Sequence, residues 1–335
     1  MFNRKVAVLR ADASSSIGVG HIMRSLSLGE ALLDEGFGVE LVTFELAPNL
    51  ASLATSLGIH VVELSCAPRS SEDAHFVLRR DAQIIVVDGY EFLRDFFEVL
   101  ETSNVAFVVI DDNAETNAQS PKAVINQNPH ASKDMYAHML GDPKLLLGLQ
   151  YAMVRKEVRE IAAQQLPTND GEVFVAMGGA DFLGLTAPIV EALAEQSFRV
   201  RVAVGHTNSQ RAAVQQIVDR YSHVTLIDQR DYVSSLASAQ VAVLAAGSSL
   251  WEACAVETPS IGLIVADNQA GSSAAAARLG FTHVIDCRKG LRAEDIVSAV
   301  RMVMQEKTEA MRDAARQCRV RNGVVQVARQ VGAIA

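Results

Sequence analysis

The feature that most constrains the fold of this 335-residue chain is a repeated alternation of short, apolar, β-branched runs with amphipathic stretches. Several of the runs are apolar on both faces, which is typical of parallel strands covered by helices. In the first half the predicted strands are residues 5–9, 39–44, 60–64, 83–87 and 105–110. The predicted helices between them lie near residues 21–35, 49–57, 71–80 and 91–101. The pattern predicts an α/β fold built on a doubly wound parallel sheet.

The same alternation restarts after a polar segment at residues 161–170, which contains Pro167 and is interpreted as a linker. Further strands are predicted at residues 172–177, 199–204, 223–227, 241–245 and 260–265, followed by a long last helix over residues 306–331. We therefore predict an N-terminal domain at 1–160 and a C-terminal domain at 171–335. Two such Rossmann-type domains are expected to face a cleft, with the ligand beyond the carboxyl ends of the strands.

Composition excludes several classes of protein. Hydrophobic residues make up 49% of the chain and charged residues 21%, which excludes disorder. The formal net charge of −9 argues against a nucleic-acid partner and against an anionic-membrane anchor. Four cysteines without C-x-x-C spacing predict neither a disulfide framework nor a zinc ribbon. No leader-like segment precedes the first strand, and no apolar run approaches the ~18 residues of a membrane span, so we expect a cytoplasmic protein.

Charge is divided unevenly along the chain. Residues 1–150 hold 11 Lys and Arg against 20 Asp and Glu, whereas residues 151–335 hold 19 of each. An anionic ligand would therefore meet less repulsion in the second half. A drift of surface charge without functional meaning explains the same counts equally well.

The loop after the first strand is rich in Gly and Ser and opens a helix, so it presents backbone N–H groups and the positive end of a helix dipole. It is not a dinucleotide fingerprint, because Met23 stands where Gly18-x-Gly20 would need its third glycine. The chain also lacks the Gly-Lys-Ser/Thr of a Walker A loop. We therefore expect no nicotinamide cofactor and, more generally, no cofactor.

His21 is the candidate catalytic residue of the first half. A positive helix start disfavours a second positive charge, so a neutral imidazole there can accept a proton. Asp12 is one candidate for orienting the ring, and Asp88 and Asp111 follow the fourth and fifth strands as further candidates for support. The alternative is that His21 only starts the helix and that the aspartates form turns or caps. The other histidines have no metal-ligand spacing, so no metal site is expected.

Two loops of the second half are candidate phosphate binders. Gly178, Gly179 and Asp181 follow one strand, and Gly247, Ser248 and Ser249 follow a later strand and open a helix. Glu252, one turn inside that helix, is a candidate acceptor for ribose hydroxyls, and Asn268 and Gln269 are candidates for a sugar or base edge. Each motif alone is equally consistent with an ordinary cap. Together they favour a nucleoside diphosphate.

At these residues the sequence resembles the UDP-2,4-diacetamido-2,4,6-trideoxy-β-L-altropyranose hydrolases of pseudaminic acid biosynthesis. The matching segments, in the family's order, are RADASSSIGVGHIMRSLSLGEAL, VVDGY, IDDNAE, INQNPHA, LLGLQYAMVRKE, VAMGGAD and AAGSSLWEACAVETPSIGLIVADNQ. The resemblance implies the two-domain GT-B glycosyltransferase-like fold, and it implies that His21 is catalytic. The candidate substrate-binding residues are then Arg10, Gly18, Gly20, Tyr90, Gly178, Gly179, Asp181, Gly247, Ser248, Ser249, Glu252, Asn268 and Gln269.

The reaction so predicted is metal-independent, inverting hydrolysis of a UDP-activated acetamido-deoxy sugar, with His21 as general base for the attacking water. The alternatives are a MurG-like UDP-sugar glycosyltransferase, which differs in its acceptor, and a non-catalytic sugar-nucleotide-binding protein. The sequence leaves open the exact sugar and the oligomeric state.

Overall fold

The computed structural model describes residues 5–12, 20–164, 169–179, 181–205 and 208–335, without the side chains of residues 169 and 170. The chain divides into two compact units, one formed by Met1–Lys156 together with Asn322–Ala335 and the other by Glu157–Arg321. This division differs from the predicted domain boundaries, because the last residues belong to the first unit. Val324, Val327 and Val331 are fully buried in that unit's core.

The first unit is built on a parallel sheet, and its described residues supply seven strands in the order β3-β2-β1-β4-β5-β6-β7. The strands are β1 Val6–Ala11, β2 Gly38–Thr43, β3 His60–Glu63, β4 Ile84–Asp88, β5 Ala106–Ile110, β6 Ala123–Asn126 and β7 Lys144–Leu147. The helices are α1 Gly20–Asp34, α2 Pro48–Ser56, α3 Ser71–Leu78, α4 Arg94–Glu101 and, at the far end of the sequence, α13 Gly323–Ile334.

Both faces of the first sheet are buried, as the apolar strands require. On β1, Leu9 belongs to the core under α1 and α13, whereas Val8 belongs to the core under α3 and α4. On β4, Val86 and Val87 divide in the same way. This period of two is the geometry of an extended strand.

The second unit repeats the plan. Its described strands pair in parallel in the order β10-β9-β8-β11-β12-β13. They are β8 Asn169–Ala176, β9 Arg199–Ala203, β10 Val224–Ile227, β11 Ala239–Ala245, β12 Ser260–Ile264 and β13 Thr282–Asp286. The helices are α5 Lys156–Gln164, α6 Thr186–Glu195, α7 Arg211–Arg220, α8 Tyr232–Ser238, α9 Ser248–Ala255, α10 Ala270–Leu279, α11 Ala293–Met302 and α12 Thr308–Cys318.

Three strands and the form of the C-terminus differ from the sequence expectations. The sequence pattern does not predict β6, β7 and β13. No α-helix separates β5, β6 and β7, which are joined by loops and a 3₁₀ turn at Lys133–Tyr136, so the alternation that identifies a βαβ unit is missing there. β13 does follow an α-helix, α10. The predicted long last helix is interrupted by a π turn at Val303–Lys307 and by Arg319, whose φ of 54° ends α12. α13 then begins at Gly323, where an added Cβ would lie 2.4 Å from the carbonyl oxygen of Ala152.

The strand order determines which loops are neighbours. In the first sheet Ala11 is in register with Asp88, and Asp88 with Ile110. The chain therefore leaves β1, β4 and β5 side by side at one edge, which is where ligands bind in open parallel sheets.

Candidate active site

His21 is the second residue of α1, at the carboxyl edge of the first sheet. Its Nδ1 lies 2.7 Å from Oδ1 of Asp88, the last residue of β4. The Tyr90 ring meets the imidazole edge to face, with centroids 4.6 Å apart and an interplanar angle of 81°. His21 is only 6% exposed. Within the described part of the chain, its polar contacts are made through Nδ1.

Asp88 is held by three further donors. Arg24 donates from Nε to Oδ2 at 2.7 Å and from Nη2 to Oδ1 at 2.6 Å, and the Ser25 hydroxyl donates to Oδ2 at 3.2 Å. Burial would raise the pKa of Asp88, but the charges and hydrogen bonds of Arg24 and His21 outweigh it and hold that pKa well below the usual range. A carboxylate only accepts, so we assign the proton of the neutral ring to Nδ1.

Asp112, just after β5, is the second carboxylate around Arg24. Arg24 Nη1 donates to both of its oxygens at 2.8 Å, and the Tyr90 hydroxyl donates to Oδ2 at 2.6 Å. Asn128 Nδ2 donates to Oδ1 at 2.7 Å. Burial opposes ionisation of Asp112, but Arg24 and the Tyr90 hydrogen bond lower its pKa. Burial and the Asp112 charge together raise the pKa of Tyr90, which keeps that hydroxyl protonated.

Arg10 and Asp12 form a separate cluster and require a correction. Arg10 is 0% exposed; its Nε donates to both Asp73 oxygens at 3.0 and 2.9 Å and its Nη1 donates to Asp12 at 2.6 Å. Asp12 also accepts from the Phe44 backbone N–H at 2.8 Å, and its contacts do not include His21. The residue that orients His21 is therefore Asp88, not Asp12. Arg10 is fully enclosed by protein, so it fixes β1 to neighbouring loops and is not placed to touch substrate.

Asp111 supports the loop after β5 and does not contact His21. Its carboxylate accepts from the backbone N–H groups of Asn113 and Glu115, each at 3.2 Å. Burial raises the pKa of Asp111 in spite of these hydrogen bonds. This is the turn-forming role that the sequence offered as the alternative. Of the two glycines in the turn before α1, Gly20 is the first residue of that helix, and Gly18 lies outside the described residues.

In the second unit, Gly178 and Gly179 follow β8 and are exposed. Gly178 has a φ of +73°, which side-chain-bearing residues rarely adopt, and a Cβ on Gly205 would lie 2.9 Å from the Gly179 oxygen. Asp181 is predicted to bind substrate, but it is buried and caps α6. Its oxygens accept from the backbone N–H groups of Leu185 and Thr186 at 2.9 and 2.8 Å. These hydrogen bonds give Asp181 a structural role at the start of α6, and its contact with substrate stays a prediction.

The loop after β11 leads into α9 with Gly247 at the N-cap. Ser248 and Ser249 are the first two residues of the helix, and Glu252 lies half-buried one turn further. The first N–H groups of a helix have no intrahelical acceptor, and the helix dipole makes them attractive to anions. The geometry therefore offers main-chain donors where the sequence predicts a diphosphate.

Asn268 and Gln269 lie after β12 in a short 3₁₀ turn. The Gln269 Oε1 accepts from the backbone N–H of Val265 at 2.9 Å, so it stabilises its own loop, whereas Asn268 is exposed. Asn268 remains the better placed of the two for a ligand.

Sequence reasoning missed Arg24, Asp112 and Asn128 as site residues. Arg24 is three positions after His21 on one helix, so the two side chains share a face, which is a readable signal. Asp112 was passed over for Asp111. Neighbouring residues at a strand end point in opposite directions, and only the fold shows which of them faces Arg24.

Among residues 5–12, 20–164, 169–179, 181–205 and 208–335, no group of three His, Cys, Asp or Glu side chains is arranged to hold a metal ion. In the same ranges no helix has the length and apolar character needed to cross a membrane.

Comparison with curated proteins gives a sequence relative. The chain is 22% identical over 277 residues to the UDP-2,4-diacetamido-2,4,6-trideoxy-beta-L-altropyranose hydrolase of Campylobacter jejuni, covering 82% of this chain and 97% of that protein. This similarity confirms the resemblance found in the motifs. No protein-family model matches the chain.

Comparison with solved structures gives the fold. MurG of Acinetobacter baumannii is 14% identical, with a TM-score of 0.65 and coverage of 98% of this chain and 99% of that one. UGT2 of Phytolacca americana, solved with UDP-2fluoro-glucose and pterostilbene, is 13% identical with a TM-score of 0.67 and coverage of 98% and 99%. Identities this low carry the fold alone. The predicted fold class is confirmed: the chain has two doubly wound parallel-sheet units of the GT-B type, and its sequence is similar over most of its length to that of a UDP-sugar hydrolase.

Proposed function

We propose that the protein hydrolyses a UDP-activated acetamido-deoxy sugar, UDP-2,4-diacetamido-2,4,6-trideoxy-β-L-altropyranose or a close relative. The observation that carries the proposal is the 2.7 Å contact between His21 Nδ1 and the ionised Asp88 at the carboxyl edge of the first sheet. A carboxylate on Nδ1 fixes the tautomer and orientation of the ring, and it stabilises the imidazolium that forms when Nε2 takes a proton. The similarity to the Campylobacter jejuni hydrolase supplies the substrate class.

In the proposed reaction, water attacks the anomeric carbon while His21 Nε2 removes its proton. The bond between that carbon and the diphosphate oxygen breaks, and its electron pair leaves with UDP. A single displacement of this kind inverts the anomeric configuration, and its transition state resembles that of inverting glycoside hydrolysis. No step needs a metal or a cofactor. The free sugar would be a precursor for nonulosonic acid synthesis.

The UDP moiety is assigned to the second unit. Diphosphate is a good leaving group once its charge is stabilised, so a protonating acid is unnecessary. The N–H groups at the start of α9, beside Ser248 and Ser249, supply such stabilisation. The exposed Gly178–Gly179 turn is the second candidate donor.

UDP release from the purified protein, with the UDP-sugar in buffer and no acceptor, tests the proposal. Run in ¹⁸O water, the reaction is expected to place label in the sugar and not in UDP, because the anomeric C–O bond is cleaved. Proton NMR of the first-formed sugar reports inversion, and unchanged turnover in a chelator reports independence of metal. Label in UDP, or release that stops with the chelator, contradicts the mechanism.

A glycosyltransferase is the second candidate, because MurG and UGT2 share the fold. The two activities differ only in the acceptor. Release that requires an added carbohydrate or lipid acceptor would favour transfer. Binding of the UDP-sugar without release under any condition would indicate a sugar-nucleotide sensor.

A further inference from the structure

The proposed reaction gives no role to Arg24 and Asp112, two charged residues near His21. Arg24 is 7% exposed, and its guanidinium lies between Asp88 and Asp112 with hydrogen bonds to both. Desolvation opposes the charge of Arg24, but the two carboxylates hold its pKa well above the usual value. Placing three full charges out of water is expensive, so the arrangement needs an explanation beyond filling space.

The charges facing His21 can be followed element by element. Asp88 comes from β4 and Arg24 from α1 itself, with Nη2 3.1 Å from Nδ1. Tyr90, from the loop after β4, contributes a neutral ring, and Asp112, from the loop after β5, reaches the cluster through Arg24 and Tyr90. Residues 13–19, which lead into α1, contain no titratable side chain. Among the described residues, the ionic group next to the His21 ring therefore holds two negative charges and one positive charge.

This balance has a consequence for proton transfer. With neutral His21 the cluster carries one net negative charge, and with cationic His21 it is neutral. A buried cluster is less costly when it is neutral than when it carries a net charge. Without Asp112, the charge of Arg24 would cancel that of Asp88, and the proton would add a net positive charge.

We propose that Arg24 and Asp112 are positioning residues for His21. Arg24 fixes the Asp88 carboxylate against Nδ1, and Asp112 offsets the charge of Arg24, which would otherwise oppose a proton on the neighbouring ring. The proposal rests on the proposed role of His21 as general base. Neither residue is assigned contact with substrate.

The proposal predicts opposite shifts for two variants. Asp112→Asn removes a negative charge and is expected to move the titration midpoint of the His21 ring about one pH unit lower than in the parent protein. Arg24→Gln removes the positive charge and is expected to move it higher by a similar amount. Arg24→Lys keeps the charge but loses the two-pronged hold on Asp88, so the midpoint stays near that of the parent while kcat falls.

The primary measurement is NMR titration of isotope-labelled histidine in the ligand-free protein, with the His21 signal assigned by its absence in His21→Gln. Glu115→Gln is the matched control, since it removes one carboxylate from the same loop at an exposed position. If Arg24→Gln does not fold, the His21 midpoints of Asp112→Asn and Arg24→Lys are sufficient to test the proposal. A midpoint in Asp112→Asn that rises, or that moves no further than in Glu115→Gln, overturns the proposal.

Activity is the second readout, and it separates this inference from the proposed function. The acidic limb of kcat/KM against pH is expected to follow the NMR midpoints in direction, which a merely structural role of Arg24 and Asp112 would not produce. If the parent protein releases no UDP while the NMR midpoints shift as stated, the proposed function is wrong, but the proposed effect of Arg24 and Asp112 on His21 is supported. If UDP is released but the midpoints do not shift, the assignment of Arg24 and Asp112 fails.

Discussion

The carboxyl edges of the two sheets present different chemistry on the same topology. The edge of the first sheet carries ionised and aromatic side chains in one hydrogen-bonded group: His21, Arg24, Asp88, Tyr90 and Asp112. The loops at the carboxyl edge of the second sheet carry glycines and hydroxyl side chains. Among the described residues of these loops, the buried carboxylate is that of Asp181, which caps a helix.

The difference indicates a division of work. Proton transfer needs a side chain whose ionisation is controlled by its neighbours. Among the described residues, the first edge places a histidine against such neighbours, namely Asp88 and Arg24. Binding of an anion such as a diphosphate needs no proton transfer. Main-chain N–H groups at a helix start can therefore bind it without a titratable residue. A side-chain change at the first edge should then alter turnover, and a main-chain change at the second should alter nucleotide binding.

The largest expected effect is on turnover, and it tests the role of the side chains at the edge of the first sheet. His21→Gln keeps the size and polarity of the side chain but removes the base, and loss of a general base lowers kcat by about 10²–10⁴-fold. Binding of UDP, followed by calorimetry, should stay within about twofold of the parent, because the nucleotide is assigned to the other unit. Turnover near the parent rate in this variant would refute the assignment of His21.

The next effect tests the main-chain half. Ser248→Pro removes the first N–H of α9 at a position where helices accept proline, and Gly247 before it has an extended backbone with φ −138° and ψ −151°. Ser248→Ala removes only the hydroxyl and is the matched control. A hydrogen bond to a charged group contributes about 1.5–3 kcal/mol, so Ser248→Pro should weaken UDP binding roughly tenfold to a hundredfold beyond Ser248→Ala. Equal affinities in the two variants would exclude this N–H as a ligand for the diphosphate.

A third prediction separates the stabilities of the two units. Gly323→Ala places a methyl group against the Ala152 backbone, which belongs to the first unit, and overpacking of this kind costs about 1–3 kcal/mol. Circular dichroism should report an earlier unfolding transition. Fluorescence of Trp251, the single tryptophan, reports the second unit and should change less.

Gly271→Ala is the control for that experiment. A Cβ at this position meets nothing within 4 Å, and alanine is a better helix former than glycine. The free energy of unfolding of this variant should therefore equal that of the parent protein or slightly exceed it. A Trp251 transition that shifts as far as the dichroism would mean that the two units unfold as one.

The smallest effect concerns acid. The pKa values of Asp12, Asp88 and Asp112 are lowered in the folded first unit, by Arg10 for Asp12 and by Arg24 for the other two, against the opposing effect of burial. Their stabilisation is complete above the unfolded carboxyl pKa of about 4 and is lost as pH falls below it. The raised pKa of Asp111, caused by burial, works in the opposite direction.

In the second unit the pKa of Asp286 falls to about 2 through hydrogen bonds from Arg288, but this pair is exposed and screened by solvent. Denaturant unfolding measured at pH 5 and at pH 3.5 should therefore show that the free energy of unfolding falls more between these pH values by dichroism than by Trp251 fluorescence. Asp12→Asn should reduce the acid sensitivity of the first unit. Equal losses by both probes would mean that the buried carboxylates of the first unit are not the cause.

The sequence predicted the fold class, since two series of apolar runs separated by helices have few other solutions. It did not predict β6 and β7, because no helix pattern separates them. It predicted His21 as the candidate base from its position at a helix start, yet it could not choose between Asp12 and Asp88 as the neighbour of the ring. That choice depends on β1 pairing with β4, a contact between segments far apart in sequence. The sequence also could not show that Arg10 and Asp181, each a polar residue near a strand end, are hydrogen-bonded to the protein itself.

The return of α13 to the first unit has a consequence for synthesis of the protein. The strands and α1 to α4 of the first unit are synthesised first, whereas its core residues Val324, Val327, Ala328 and Val331 follow only after Glu157–Arg321 has been made. The second unit, contiguous in sequence, can mature before its predecessor is finished. Until α13 is made, the first unit is therefore expected to expose this apolar face, and transiently exposed apolar surface is what makes a folding chain prone to aggregate.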